Sequence, residues 1–197
     1  MTETSLNVLA VIGSLQRGSV TRVVVQHVAE QLKTAHCAVD ILDLQWEPLP
    51  LYNPDVAHDL PGYAQLQARV ERADVILLGT PDYHGGISSA LKNFLDHFWH
   101  EFAGKLFATI VASHEKGLTV ADQLRTVARQ CYAWVLPYGV GLAEDVDVQN
   151  GQIVTDTLKQ RLEMLVRDLC VYGALLARQR HADLAGPEPG FLARHRK

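Results

Sequence analysis

Short apolar runs alternate along this chain with longer stretches whose apolar positions recur every three or four residues. The runs at 6–12, 38–44, 75–79, 106–112 and 134–139 are short for helices and rich in Val, Ile and Leu, which marks strands buried on both faces. The periodic stretches at 21–33, 63–73, 88–102, 118–131 and 155–177 read as amphipathic helices. In the first of them Val24, Val25, Val28, Ala29 and Leu32 share one stripe. Alternation of strand and helix predicts an α/β three-layer sandwich, a five-stranded parallel sheet with helices on both faces, and the strand order 2-1-3-4-5. The domain is expected over 1–181, followed by a polar tail over 182–197 that is mobile or lies as an arm on a partner subunit. The proline-rich stretch at 45–61 is a long loop, and such loops in compact domains are functional or at interfaces.

In sheets of this kind a ligand sits beyond the carboxyl ends of the strands where their order reverses, here between strands one and three. The residues following those strands carry the candidate chemistry. After Ile12 comes Gly13-Ser14-Leu15-Gln16-Arg17-Gly18-Ser19-Val20-Thr21-Arg22, a loop of hydroxyls, cations and glycines delivered to the start of a helix. A helix N-terminus carries unpaired N–H donors and partial positive charge, and hydroxyls and guanidinium add charge-assisted hydrogen bonds, so the stretch reads as an anion site. A plain strand-to-helix turn would need only one capping hydroxyl. Neither G-x-G-x-x-G nor G-x-x-x-x-G-K-[ST] is present, which argues against the usual dinucleotide and ATP sites and leaves a terminal phosphomonoester as a compatible ligand. After strand three, Pro81-Asp82-Tyr83-His84-Gly85-Gly86 joins a fixed φ, two rings that can flank a flat ligand, and glycines that admit close backbone approach. After strand four, Ser113-His114-Glu115-Lys116-Gly117 is polar and ends in glycine. One loop for a phosphate and two for a planar polar ring fit a mononucleotide with an extended aromatic base, FMN.

Composition narrows the partners. The chain has 197 residues, 48% hydrophobic, with a net charge of -4, which suits one domain with a full core and lacks the basic footprint of a nucleic-acid protein. No membrane span or signal-peptide pattern is read, and three widely spaced cysteines suggest reduced thiols in a cytoplasmic protein. No metal site is expected: His97, His100 and Glu101 read as a surface or interface group, since the zinc-protease order H-E-x-x-H is missing. Leu91, Phe94, Leu95, Phe98, Trp99 and Phe102 form a broad stripe, core by default and wide enough to reach a subunit interface. Cys131 reads as a buried thiol.

The sequence resembles the NADPH-dependent FMN reductase family of flavodoxin-like quinone, azo and chromate reductases. Three segments carry the resemblance: Gly13-Ser14-Leu15 through Ser19 and Arg22; Pro81-Asp82-Tyr83 through Leu91-Lys92-Asn93 and Asp96; and Leu49-Pro50-Leu51-Tyr52-Asn53-Pro54-Asp55. Gln16 stands where that family usually has Arg, with Arg17 adjacent; Asp82 replaces the commoner Glu; the third loop departs from Ser-x-Gly-Gly. The resemblance implies a flavodoxin-like domain in which Ser14, Gln16, Arg17, Ser19, Val20 and Thr21 hold the FMN phosphate. Pro81, Asp82, Tyr83, His84 and Gly85 would line the isoalloxazine, and Ser113, His114 and Gly117 its pyrimidine edge. The expected activity passes hydride from NADPH or NADH through flavin N5 to a second small-molecule acceptor: a flavin, quinone, azo compound or metal oxyanion. No side-chain nucleophile is needed, and a homodimer or homotetramer is expected. Arg17 or Arg22 is a candidate for a nicotinamide 2′-phosphate. A flavodoxin-type electron carrier and a flavin-free phosphate sensor remain as alternatives.

Overall fold

The structure is a computed structural model that describes residues 5–114 and 117–196. Its strands are β1 Asn7–Ile12, β2 Ala38–Asp43, β3 Val75–Tyr83, β4 Gly86–Ile87, β5 Leu106–Ser113, β6 Trp134–Val135, β7 Val140–Ala143, β8 Val148–Gln149 and β9 Gln152–Ile153. Its α-helices are α1 Val20–Thr34, α2 Tyr63–Arg72, α3 Ser89–Asp96, α4 Leu118–Gln130, α5 Glu144–Asp147 and α6 Asp156–Ala185. The sheet runs β2-β1-β3-β5, and its fifth place is shared by β6 beside Leu106–Phe107 and β7 beside Ile110 to Ser113, all parallel. Counted as one interrupted strand, 134–143 completes the flavodoxin-like order 2-1-3-4-5. Pro137 and Gly139 lie in the break, and a Cβ on Gly139 would stand 2.5 Å from Thr109 Oγ1.

Side-chain alternation along the strands divides the core in two. Val8, Ala10, Ile12, Val75, Leu77, Ala108 and Ile110 face α1 and α6, where Val24, Val28, Leu162, Leu165 and Leu169 meet them. Leu9, Val11, Ile76, Leu78, Phe107 and Val111 face α2, α3 and α4, where Val70, Leu91, Phe94 and Leu124 meet them. Cys131 lies buried in this second layer, and burial pushes its thiol up to about 11.

Strand five, expected over 134–139, pairs only at Trp134–Val135 and again at Val140–Ala143, and three further elements depart from the sequence reading. β3 runs on through Pro81 to Tyr83 instead of stopping at Gly79. β1 ends opposite Gly79, so beyond it β3 is an edge on that side and the missing N–H of Pro81 breaks no ladder bond. The helix expected over 88–102 ends at Asp96, with a separate 3-10 turn at His100–Phe102, because Trp99 leaves helical geometry to donate from Nε1 to the carbonyl of Gln130 at 3.1 Å. Within the same stretch, His97 is buried, bonded through Nδ1 to the Asn93 carbonyl at 2.8 Å and edge-on to Tyr52, which corrects its expected surface position. Finally, α6 continues eight residues past the expected end at 177, and the segment after it folds back on its own chain instead of projecting. There Leu192 is buried against Gly104, the Arg194 guanidinium lies 4.3 Å over the Tyr132 ring, and Arg196 donates to the Asp183 carbonyl.

Candidate functional site

The register brings the three expected loops to one rim. Ile12 stands beside Gly79, Pro81 beside Ala112, and Ser113 beside Ala143. The first two loops are laced together. The Gly13 amide donates to the Gly79 carbonyl at 2.8 Å, and Ser88 Oγ donates to the Gly13 carbonyl at 2.6 Å. Ser88 also caps α3, accepting from the Leu91 amide at 3.2 Å, while its own amide donates to Thr80 Oγ1 at 3.1 Å. Position 13 has room only for glycine, since a Cβ would come within 2.6 Å of Leu91 Cβ.

The first loop is organised by Arg22. Its side chain is buried and makes a two-pronged pair with Asp43, Nε to Oδ2 at 2.6 Å and Nη2 to Oδ1 at 3.0 Å. Its remaining donors reach the carbonyls of Ser14 at 3.2 Å, Gln16 at 2.7 Å and Arg17 at 3.0 Å. This overturns the reading of Arg22 as a contact for nicotinamide phosphate. Its charge is answered by Asp43 and its donors by the loop itself. The consequence for a ligand follows from peptide geometry. In a trans peptide the carbonyl of one residue and the N–H of the next point in opposite directions, and the described residues contain no cis bond. Three carbonyls turned in toward Arg22 therefore turn the amides of Leu15, Arg17 and Gly18 outward. None of the three has a hydrogen-bond partner among the described residues. The first turn of α1 adds the free amides of Val20 and Thr21.

The hydroxyls occupy different roles. Ser19 is the N-cap of α1, its Oγ accepting from the Arg22 amide at 3.3 Å, and Ser14 Oγ accepts from the Gln16 amide at 3.4 Å. Each keeps its own O–H to give. Thr21 is buried on α1 and its Oγ1 has no partner among the described residues. Gln16 and Arg17 are exposed, and Val20 is half-buried as the first helical residue.

The second loop is a hairpin. His84 and Gly85 both take positive φ, 57° and 74°, between β3 and β4, as a two-residue hairpin turn requires. Asp82 Oδ1 accepts from the Gly85 amide at 2.7 Å, so its carboxylate serves the turn. Tyr83, at the tip, is 52% exposed. Gln123 of α4, which sequence reasoning passed over, clamps the hairpin with both ends of its amide: Nε2 to the Gly85 carbonyl at 2.8 Å, and Oε1 from the Ile87 amide at 3.1 Å. In the third loop Ser113 is buried, its Oγ without a partner among the described residues, and Gly117 has φ 60°, where a Cβ would run into Val111 Cγ1. His114 is exposed, 4.0 Å from Asp145. Glu115 and Lys116 lie outside the described residues. A fourth piece of chain reaches the rim through Asn93, which accepts from the Tyr52 amide at 2.8 Å and donates to the Pro50 carbonyl at 2.9 Å, pinning the long loop over α3. Between them a recess of about 200 Å³ is lined by Leu15, Leu49, Leu51, Ala90 and Asn93.

The family model described as NADPH-dependent FMN reductase matches residues 6–147, which contain the sheet through β7 and all three loops. The chain belongs to this reductase family. An NADPH azoreductase of Bacillus sp. (strain OY1-2) is 30% identical over 171 residues, 85% of this chain and 92% of that protein. An FMN-dependent NADPH-azoreductase of Staphylococcus haemolyticus (strain JCSC1435) is 36% identical over 137 residues, 66% of this chain and 72% of that protein. Among solved structures, the flavoenzyme NAD(P)H:(acceptor) oxidoreductase FerB of Paracoccus denitrificans superposes with a TM-score of 0.67 at 20% identity, covering 88% of this chain and 98% of its own. An archaeal flavodoxin superposes at 0.60 with 13% identity, covering 85% of this chain and 99% of its own, a likeness of fold.

Proposed function

We propose that this chain is an FMN-dependent NAD(P)H oxidoreductase that delivers reducing equivalents to a second small-molecule acceptor, with an azo compound or quinone as the first choices. The observation that carries the reading is the outward-facing amide loop held by Arg22 and Asp43, set beside a braced hairpin at the same rim. The donor set fits FMN. A phosphomonoester needs many N–H and O–H donors and little net charge, and this loop offers the amides of Leu15, Arg17 and Gly18, the start of α1, and the hydroxyls of Ser14, Ser19 and Thr21, with Gln16, Arg17 and Val20 at its border. A buried hydroxyl without a partner costs about 1–3 kcal/mol, so a ligand acceptor within reach of Thr21 Oγ1 or Ser113 Oγ would relieve that cost.

When bound, FMN supplies reversible hydride and electron chemistry. The chain's contribution is to hold and orient. Pro81, Asp82, Tyr83, His84 and Gly85 form one wall for the ring, with Gln123 fixing that wall. Ser113, His114 and Gly117 would face the pyrimidine side, where Ser113 would donate its O–H. The azoreductase names of the relatives support an azo acceptor for this chain. The exposed apolar side chains Leu15, Leu51, Tyr83 and Leu118 around the rim support a homo-oligomer that covers them; size-exclusion chromatography with light scattering reads it. Among the described residues no helix is long and apolar enough to cross a membrane; a cytoplasmic setting is part of the proposal.

The test is anaerobic mixing of the FMN-loaded protein with NADPH and, separately, NADH. The flavin absorbance should bleach and return on adding an azo dye or quinone. Binding of FMN without bleaching would transfer the chain to the electron carriers, and no binding of FMN would end the flavin reading.

A further inference from the structure

Cys37 and Cys170 are 133 positions apart, yet their sulfurs stand 3.8 Å from each other. Cys37 follows α1, its amide bonded back to the Leu32 carbonyl at 3.0 Å, and leads directly into β2. Cys170 lies on α6 beside the buried Leu169. Both are free and half-buried against the same core layer, while Cys131 is in the other layer across the sheet. A disulfide needs an S–S distance of about 2.05 Å, so the sulfurs must approach by roughly 1.7 Å, a movement on the scale of rotation about the Cα–Cβ bonds. Cys170 also lines a groove of about 610 Å³ with His27, Gln31, Thr34, Glu163 and Val166, which gives a small oxidant a way in.

We propose that Cys37 and Cys170 are a redox pair that a hydroperoxide converts to an intramolecular disulfide, joining α6 to the turn that enters β2. The Cys170 thiolate attacks one peroxide oxygen and the O–O bond breaks; Cys170 becomes a sulfenic acid and the other oxygen leaves as water or alcohol after taking a proton. The Cys37 sulfur then attacks the Cys170 sulfur, the S–O bond breaks, and water departs with the Cys37 proton. The two thiols supply the two electrons that reduce the peroxide. The order of events follows from access. Cys170 faces the groove, and burial together with the neighbouring Cys170 sulfur pushes the Cys37 thiol up to about 12, which keeps it protonated until the second step. The pair lies at the amino end of β2, opposite the rim that carries the three loops, so it stands apart from the flavin reading.

The experiment treats the full-length reduced protein with a small excess of hydrogen peroxide. Thiols counted in denaturant should fall from three to one, the intact mass should drop by two hydrogens, and peptide mapping should link the Cys37 peptide to the Cys170 peptide. The thermal midpoint should rise by on the order of 5–10 °C, as expected for closing so long a loop in a domain of this size. Dithiothreitol should reverse all four, and NAD(P)H oxidation should be unchanged. Cys131→Ser should form the same link, its thiols falling from two to none, whereas Cys37→Ser and Cys170→Ser, checked for fold by circular dichroism, should form no internal link. Three surviving thiols, a link through Cys131, a link between two chains, or oxidation stopping at sulfinic acid would overturn the proposal.

Discussion

Replacing Arg22 by alanine should loosen the first loop and weaken flavin binding together, through two separable effects. The first is on stability. The substitution leaves Asp43, 8% exposed, without the guanidinium it meets at 2.6 and 3.0 Å. Removing one partner of a buried ion pair costs about 3–5 kcal/mol. Asp43 keeps one donor, the Gln45 amide at 3.0 Å, so the loss should fall near the lower figure, about 3 kcal/mol. A domain of ordinary stability, about 5–15 kcal/mol, still folds after that loss. The second effect is on the loop. The carbonyls of Ser14, Gln16 and Arg17 lose their anchor, and ordering each freed residue again on binding costs about 1–2 kcal/mol. Three residues at that rate weaken FMN by a hundredfold or more, at about 1.4 kcal/mol per tenfold. The double variant Arg22→Met with Asp43→Leu separates the two: no buried charge is left, so the urea midpoint should recover, while FMN affinity stays low. Urea unfolding followed by circular dichroism and FMN titration followed by flavin fluorescence read both quantities. If Arg22→Ala loses FMN with an unchanged urea midpoint, Arg22 is a direct phosphate ligand and the argument from the carbonyls is wrong.

Three further substitutions probe the braces. Ser88→Ala removes the cap of α3 and the bond to the Gly13 carbonyl, and should lower stability by about 2 kcal/mol with a modest loss of FMN retention; an unchanged urea midpoint would show that the two loops hold together without it. Gln123→Ala should cost under about 1 kcal/mol of stability, since its bonds are only partly buried, but should raise KM for NAD(P)H several-fold by freeing the hairpin; equal KM values would mean the turn stands unaided. Lys105 is almost fully buried, donating to the carbonyls of Glu71 and Ala73, and burial, reinforced by Arg180, brings it down to about 7. The unfolded chain keeps that proton up to its ordinary value, so between about pH 7 and 10 the unfolded state binds more protons and stability should rise with pH, by at most about 1.4 kcal/mol per unit. Lys105→Met should remove this rise, and a wild-type curve parallel to that of the variant would sink the assignment.

The fold was legible because burial on both faces leaves a plain signature: β1 and β5 are continuous apolar runs, and α1 shows one stripe. The rim followed from the strand order. The functions of individual polar residues were less legible. Arg22 is a cation in an anion-binding stretch, and only the structure shows that its partner Asp43, at the end of β2, turns it inward. Nothing in the spacing of Cys37 and Cys170 reveals their meeting. The continuation of α6 past 177 carries no apolar stripe; polar bonds such as Arg180 to the Ala103 carbonyl at 2.8 Å support it instead. The hairpin of β8 and β9 was readable and passed over. Asn150-Gly151 is a favoured two-residue turn, with φ of 50° and 73°, but the strands beside it are two residues each and too short to show alternation.

The rim divides into a rigid half and an adjustable half, and this division bears on which acceptor is reduced. On the phosphate side the backbone is anchored at several points: Arg22, paired with Asp43, holds the carbonyls of Ser14, Gln16 and Arg17, and Gly13, Gly79, Thr80 and Ser88 bond one another. Substitutions there act on cofactor retention and change all acceptors alike. On the open side the ring wall ends in the exposed side chains of Tyr83 and His84, on a short hairpin held by the β3–β4 ladder, Asp82 and Gln123, and the long loop presents Leu51, 85% exposed, held by Asn93. A flat acceptor must displace or stack on these side chains, so their replacement changes the contacts of one acceptor more than another. Leu51→Ala should therefore shift the ratio of kcat/KM between an azo dye and a quinone while leaving the FMN dissociation constant within about twofold, a change worth only roughly 0.4 kcal/mol. A uniform fall for both acceptors would place the selective contacts elsewhere, on the third loop between Ser113 and Gly117.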